Sequence, residues 1–143
     1  MARSHSIVLG LIIVLCGMLL LNNAFSAEAT PIVVQLTRSS DNYGHRRALL
    51  QIDKVLDDIG EDKPKIVVVA YEEGIQALLA DNTETRQLET KLANRGVAFK
   101  AYRISMRAWG LKDDQFPLEV EFVPAGDPEV IKLQLKGYKY WRP

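Results

Sequence analysis

Apolar and polar positions along the chain alternate between two rhythms. Pro31 to Thr37 (PIVVQLT) is a β-branched run suited to a buried strand. Arg38 to His45 (RSSDNYGH) is polar, contains Gly44 and reads as a loop. From Arg46 to Ile59, the residues Leu49, Ile52, Leu56 and Ile59 fall at spacings of three and four, which makes one face of a helix that Gly60 ends. Lys65 to Ala70 (KIVVVA) is apolar without alternation, the pattern of a strand covered on both faces. Glu72-Glu73-Gly74 turns the chain into a short apolar helix from Ile75 to Leu79. After a break at Asp81 to Thr83, Glu84 to Asn94 continues as an amphipathic helix carrying Leu88 and Leu92, and Gly96 is placed to end it. Val97 to Ile104 (VAFKAYRI) is a third strand, followed by a short helical piece through Trp109 that stops at Gly110. Glu119 to Val123 (EVEFV) is a fourth strand. Asp127-Pro128 reads as an N-cap with proline at the first helical position. That helix runs to Lys136, Gly137 closes it, and Tyr138 to Trp141 forms a last short strand.

Strand and helix in alternation predict an α/β fold: one three-layer domain, flavodoxin- or Rossmann-like, with a mostly parallel sheet of about five strands and helices on both faces. Right-handed crossovers gather the loops that follow the strands at one edge, where open sheets of this kind bind ligands. There is no internal repeat and no linker, so residues 28–143 are expected to form one domain.

Upstream of it the pattern changes. Arg3 and the amino terminus supply a positive start, and Ile7 to Leu21 form an apolar run of 15 residues. Asn22 and Asn23 break the run, and Ala24-Phe25-Ser26 and Ala27-Glu28-Ala29 each offer small residues at the positions a signal peptidase needs. The expected leader covers residues 1–27, with cleavage after Ser26 or after Ala29, and places the product in the periplasm with no membrane attachment. Two other readings are open: an uncleaved N-terminal membrane anchor, and a lipoprotein modified at Cys16, against which Leu15 stands where a small residue is needed.

Cys16 is the only cysteine of the 143 residues and lies inside that apolar run. A chain cut after it has no disulfide and no thiolate chemistry. Charge excludes another class. Without Arg3, 17 basic residues face 18 acidic ones, a net charge of −1, and the signs are interspersed. No basic face is available for nucleic acid.

The tail Pro124-Ala125-Gly126, Val130-Ile131-Lys132-Leu133-Gln134, Gly137-Tyr138-Lys139-Tyr140 and Pro143 closely resembles the C-terminal signature of the DsrE/DsrF-like family. Lys65 to Leu79 resembles that family's second strand and turn, and Arg95 to Phe99 its entry into the third strand, so the resemblance spans about Ile32 to Pro143. It implies small α/β subunits assembled as a homo-oligomer, a trimer or a hexamer. Several members relay sulfur as a cysteine persulfide, from a cysteine just after the third strand. The matching position here is Tyr102, which cannot form a persulfide. Tyr71 is a second departure, standing where many relatives carry a smaller or more polar residue. The resemblance thus implies the fold and assembly without the relay, and leaves room for a protein partner, including a cysteine-bearing relative.

By topology the loop edge gathers Tyr43, His45 and Arg46 from the first loop, and Tyr71, Glu72 and Gly74 from the second. Tyr102 and Arg103 come from the end of the third strand and Gly126 from the fourth loop. Two tyrosines and an arginine there can stack on and pair with a modest anionic or aromatic ligand. In the plainer alternative, Tyr71 and Tyr102 fill the hole where a reactive pocket stands in relatives. His45, the only histidine after the leader, is expected in a surface loop. A lone histidine without cysteine builds no structural zinc site, and no cofactor is expected. Adjacent Glu72 and Glu73 favour the start of a helix rather than acid–base chemistry. Asp113-Asp114 reads as a turn or cap and Ser105 lacks a nucleophile elbow. Whether Trp109 and Trp141 are core or interface is left open.

Overall fold

In a computed structural model, residues 29–59 and 64–143 are described; the leader, Cys16 and Gly60 lie outside them. Five strands, β1 (Ile32–Leu36), β2 (Ile66–Ala70), β3 (Ala98–Tyr102), β4 (Val120–Val123) and β5 (Lys139–Trp141), form one sheet in the order β4-β3-β2-β1-β5. Every pairing is parallel, including that of β5 with β1. The α-helices are α1 (Gly44–Ile59), α2 (Arg86–Asn94), α3 (Arg103–Ala108) and α4 (Gly126–Leu135); a seven-residue 3-10 helix covers Glu72–Leu78, and single 3-10 turns cover Asp41–Tyr43 and Asp113–Gln115.

The sheet separates two apolar clusters. On one face Val34, Leu36, Ile66, Val68, Ala70, Phe99 and Ala101 meet Leu49, Ile52 and Leu56 of α1, Ile75 and Leu78 of the 3-10 helix, Leu92 of α2 and Met106 of α3. On the other, Val33, Val67, Val69 and Tyr71 meet Val130 and Leu133 of α4, with Ala98, Tyr102 and Tyr138 packed partly buried against them. Each fully buried branched side chain contributes about 1.5–3 kcal/mol, so the first face carries most of the stability. Helices do cover both faces, but unequally. Over β3 and β4 on the thinner side, Lys100 pairs with Glu129 at 2.6 Å and Glu121 at 3.5 Å. Trp141 packs partly buried against the larger cluster, whereas Trp109 is 45% exposed.

Four of the boundaries that differ from the sequence pattern each have a specific side-chain contact behind them. Helix α1 starts at Gly44 and takes in His45, which is 2% exposed and not a surface loop residue. Its Nε2–H donates to the carbonyl of Arg38 at 2.8 Å, which folds the preceding loop onto the helix. Strand β3 ends at Tyr102, two residues early, because Arg103 turns aside toward Asp113 and opens α3. Helix α4 begins at Gly126 with Ala125 at its N-cap, so Asp127 is no cap; its carboxylate is taken by the Tyr71 hydroxyl. Helix α2 begins at Arg86 rather than Glu84, because Asn82 holds the preceding turn through the Glu84 N–H.

Two buried carboxylates pull stability in opposite pH directions. Burial raises the pKa of Asp53, but its bonds to Lys91 and Arg95 outweigh that and hold it below its ordinary 3.8. The stability it contributes is present above that value and is lost as pH falls. Glu89 is buried, Arg86 binds one oxygen at 2.6 Å, and the other oxygen has no partner. Here burial wins over Arg86 and raises the pKa above 4.5. Stability from its protonated form is present below that value and is lost as pH rises through the folded pKa. Glu89→Gln, which keeps the shape of the protonated acid, is therefore expected to gain stability relative to the natural protein between about pH 4 and about pH 8. Urea midpoints across that range test this; a constant difference would mean that Glu89 stays ionised in the fold.

Candidate functional site

All five parallel strands end at one edge, and there the chain brings Tyr71, Glu72, Gly74, Tyr102, Arg103 and Gly126 together. Tyr71 follows β2 and points to the thinner face, packed among Val33, Val67, Val69, Val130 and Leu133 at 4% exposure. Its ring stands edge-on to Tyr102, with centroids 6.2 Å apart and planes at 88°. A Cβ at Gly126 would lie 2.8 Å from the Tyr71 ring, so the missing side chain at the start of α4 is what admits the ring. Gly74 likewise lets the 3-10 helix pass directly over the end of β1.

The Tyr71 hydroxyl donates to Asp127 Oδ1 at 2.5 Å and accepts from Gln35 Nε2. Gln35 in turn accepts from the hydroxyl of Tyr140, which is 46% exposed. A chain of hydrogen bonds thus runs across β5, β1 and β2 to the first turn of α4. Burial first, and the bond to the Asp127 carboxylate second, push the Tyr71 phenol well above its ordinary 10.0. It stays protonated, a donor rather than a base.

Arg103 is engaged by the protein itself. Its guanidinium grips both carboxylate oxygens of Asp113, Nη2 to Oδ2 at 3.0 Å, and lies over the Phe122 ring at 4.3 Å. Glu72 takes a left-handed backbone, φ 51°. Its N–H donates to Ser105 Oγ at 2.8 Å and its carbonyl accepts from Trp109 Nε1 at 3.2 Å, while the carboxylate faces solvent. The strand order reverses between β1 and β5, where such sheets form a crevice. Here Arg142 bonds Thr37 Oγ1 at 3.0 Å and Arg38 bonds the carbonyl of Pro143, so the C-terminus lies across that point.

Tyr43, His45 and Arg46 do not join this cluster. His45 is buried within the first turn of α1, and Tyr43 and Arg46 line a groove between α1 and α2. Gln35, Asp127 and Tyr140 belong to the edge network although the sequence pattern marked none of them as a site residue. One signal was present: Gln35 interrupts the apolar run of β1 at a position that alternation places on the opposite face from Val34 and Leu36. Among the described residues no cluster of His, Cys, Asp and Glu is arranged to hold a metal, and no helix is long and apolar enough to cross a membrane.

The model of the DsrE/DsrF-like family matches residues 31–142. Among solved structures, the chain is similar to a protein of unknown function, MTH1491 from Methanobacterium thermoautotrophicum, with 26% identity and a TM-score of 0.70 over 79% of this chain and 99% of that one. It shares its fold with the ychN protein of E. coli, at 14% identity and a TM-score of 0.61 over 80% of this chain and 99% of that one. No curated protein matches.

Proposed function

This chain belongs to the DsrE/DsrF-like family, and from that premise we propose that it is an exported, non-catalytic binding or assembly module. It is related to the family's sulfur-relay proteins but works without a persulfide cysteine. The observation that carries the reading is the Tyr71–Tyr102 pair. Tyr102 stands at the end of β3, where the relay cysteine of relatives belongs, and the buried Tyr71 ring packs against it. A phenol cannot carry sulfur, and residues 29–143 contain no cysteine to take over. With Arg103 held by Asp113 and Phe122, the edge keeps little free polar capacity for a small ligand, which weighs against a sensor or enzyme built on it.

The purified protein is expected to show no sulfur transfer from thiosulfate or persulfide donors above the uncatalysed rate, and turnover that follows the protein would sink the proposal. Native mass spectrometry is expected to give three or six copies of a chain cut after Ser26 or Ala29, exported to the periplasm; a monomer retaining the leader would contradict both parts. One observation favours a second reading, a non-catalytic subunit docked on a cysteine-bearing relative. Ile104 and Trp109, 47% and 45% exposed, lie on and just after α3, close to Tyr102. Co-purification of such a relative from the native host distinguishes the two.

A further inference from the structure

The groove between α1 and α2 is separate from the sheet edge and has the features of a site in its own right. Its volume is about 560 Å³, within the span of small-molecule pockets, and Tyr43, Arg46, Thr83, Glu84, Gln87, Leu88 and Lys91 line it. Leu88 forms an apolar floor that packs onto the main core. Tyr43 is held in an uncommon way. Asn42 and Tyr43 both adopt left-handed backbone, φ 51° and 58°. Asparagine tolerates that conformation; for a bulky side chain it costs free energy and persists only where the surroundings impose it. The outcome is a tyrosine ring 65% exposed beside the groove, in a place where core packing does not explain it.

The charges are equally uneven. Lys91 is neutralised by Asp53 at 2.6 Å, whereas Arg46 pairs with no acidic side chain among the described residues. Glu84 is the single carboxylate of the lining, and its N–H is tied to Asn82 Oδ1 at 3.1 Å, which steadies that rim. Thr83 and Gln87 add a hydroxyl and an amide.

We propose that this groove binds a small aromatic monoanion that also carries a hydrogen-bond donor. Tyr43 stacks on the ring, Arg46 pairs with its carboxylate, and Glu84 accepts from the donor. A second negative charge would meet Glu84, which argues against dianions. The proposal does not depend on the fate of the sheet edge.

Titration of the mature protein with para-hydroxybenzoate, followed through backbone amide NMR signals, tests it. Saturable shifts are expected at Tyr43, Arg46, Thr83, Gln87 and Leu88. Arg46→Gln and Tyr43→Asn are each expected to weaken binding roughly tenfold, and Tyr43→Phe to change it less than about twofold. Neutral para-hydroxybenzamide is expected to bind about as weakly to the natural protein as the acid binds to Arg46→Gln. Tyr43→Asn keeps a residue that accepts the left-handed backbone. Should its spectrum change throughout, Arg46→Gln and the neutral probe decide the matter. An absence of saturable shifts at these amides, shifts that Arg46→Gln leaves intact, or equal binding of the neutral probe would each overturn the proposal.

Discussion

Replacing Tyr71 by alanine is expected to lower stability by about 3–5 kcal/mol, read as a lower urea midpoint at an unchanged slope. The magnitude follows from what the ring fills. It is 4% exposed, it forms much of the thinner apolar cluster, and Gly126 beside it has no side chain to fill the space it would leave. Tyr71→Phe separates ring from hydroxyl. It keeps the packing and removes the donor to Asp127 and the acceptor for Gln35, so its expected cost is about 1 kcal/mol, because exposed Asp127 can turn to water. If Tyr71→Ala instead cost less than about 1 kcal/mol, the ring would be lining an opening rather than filling it, and the non-catalytic reading would lose its main support.

Gly74→Ala is expected to be nearly as damaging, at about 3 kcal/mol, the upper end for overpacking. A Cβ there would lie 2.1 Å from the carbonyl oxygen of Leu36, 2.5 Å from its carbon and 2.9 Å from Thr37 Cα. All three are backbone atoms, so no side-chain rotation relieves the clash. Any shift of β1 would also disturb the bond from the Tyr71 N–H to that same carbonyl, 3.1 Å long. With typical domain stabilities of about 5–15 kcal/mol, either substitution removes a large share of the total. Circular dichroism during urea unfolding measures both. A Gly74→Ala protein as stable as the natural one would return Gly74 to the role of a ligand-contacting turn.

The type and order of the elements were legible in the sequence because each carries its own period. The unbroken run Ile66 to Ala70 has all five residues buried, as a strand covered on both faces requires, and Leu49, Ile52 and Leu56 of α1 reach the core, while Ile59 at the helix end is 43% exposed. The parallel sheet follows from the alternation of those elements, and the departure at Tyr102 from the resemblance to the family. These depend on neighbours along the chain, and local spacing records them.

The contents of the candidate site depended on contacts between groups in different elements and loops, which the spacing within one element does not record. His45 reads as a polar loop residue, yet it is buried in the first turn of α1 with its ring bonded to the carbonyl of Arg38. Asp127 has the composition of a cap, yet the hydroxyl of Tyr71, 56 positions away, claims its carboxylate. Arg103 reads as a free cation until Asp113 and Phe122 enclose it. Residues assigned to one edge by topology divide between that edge and a groove between helices, because Asn42 and Tyr43 turn the chain left-handed just before α1. Periodicity determines which face of an element is buried; which polar groups then meet is decided by how the packed elements bring their ends together.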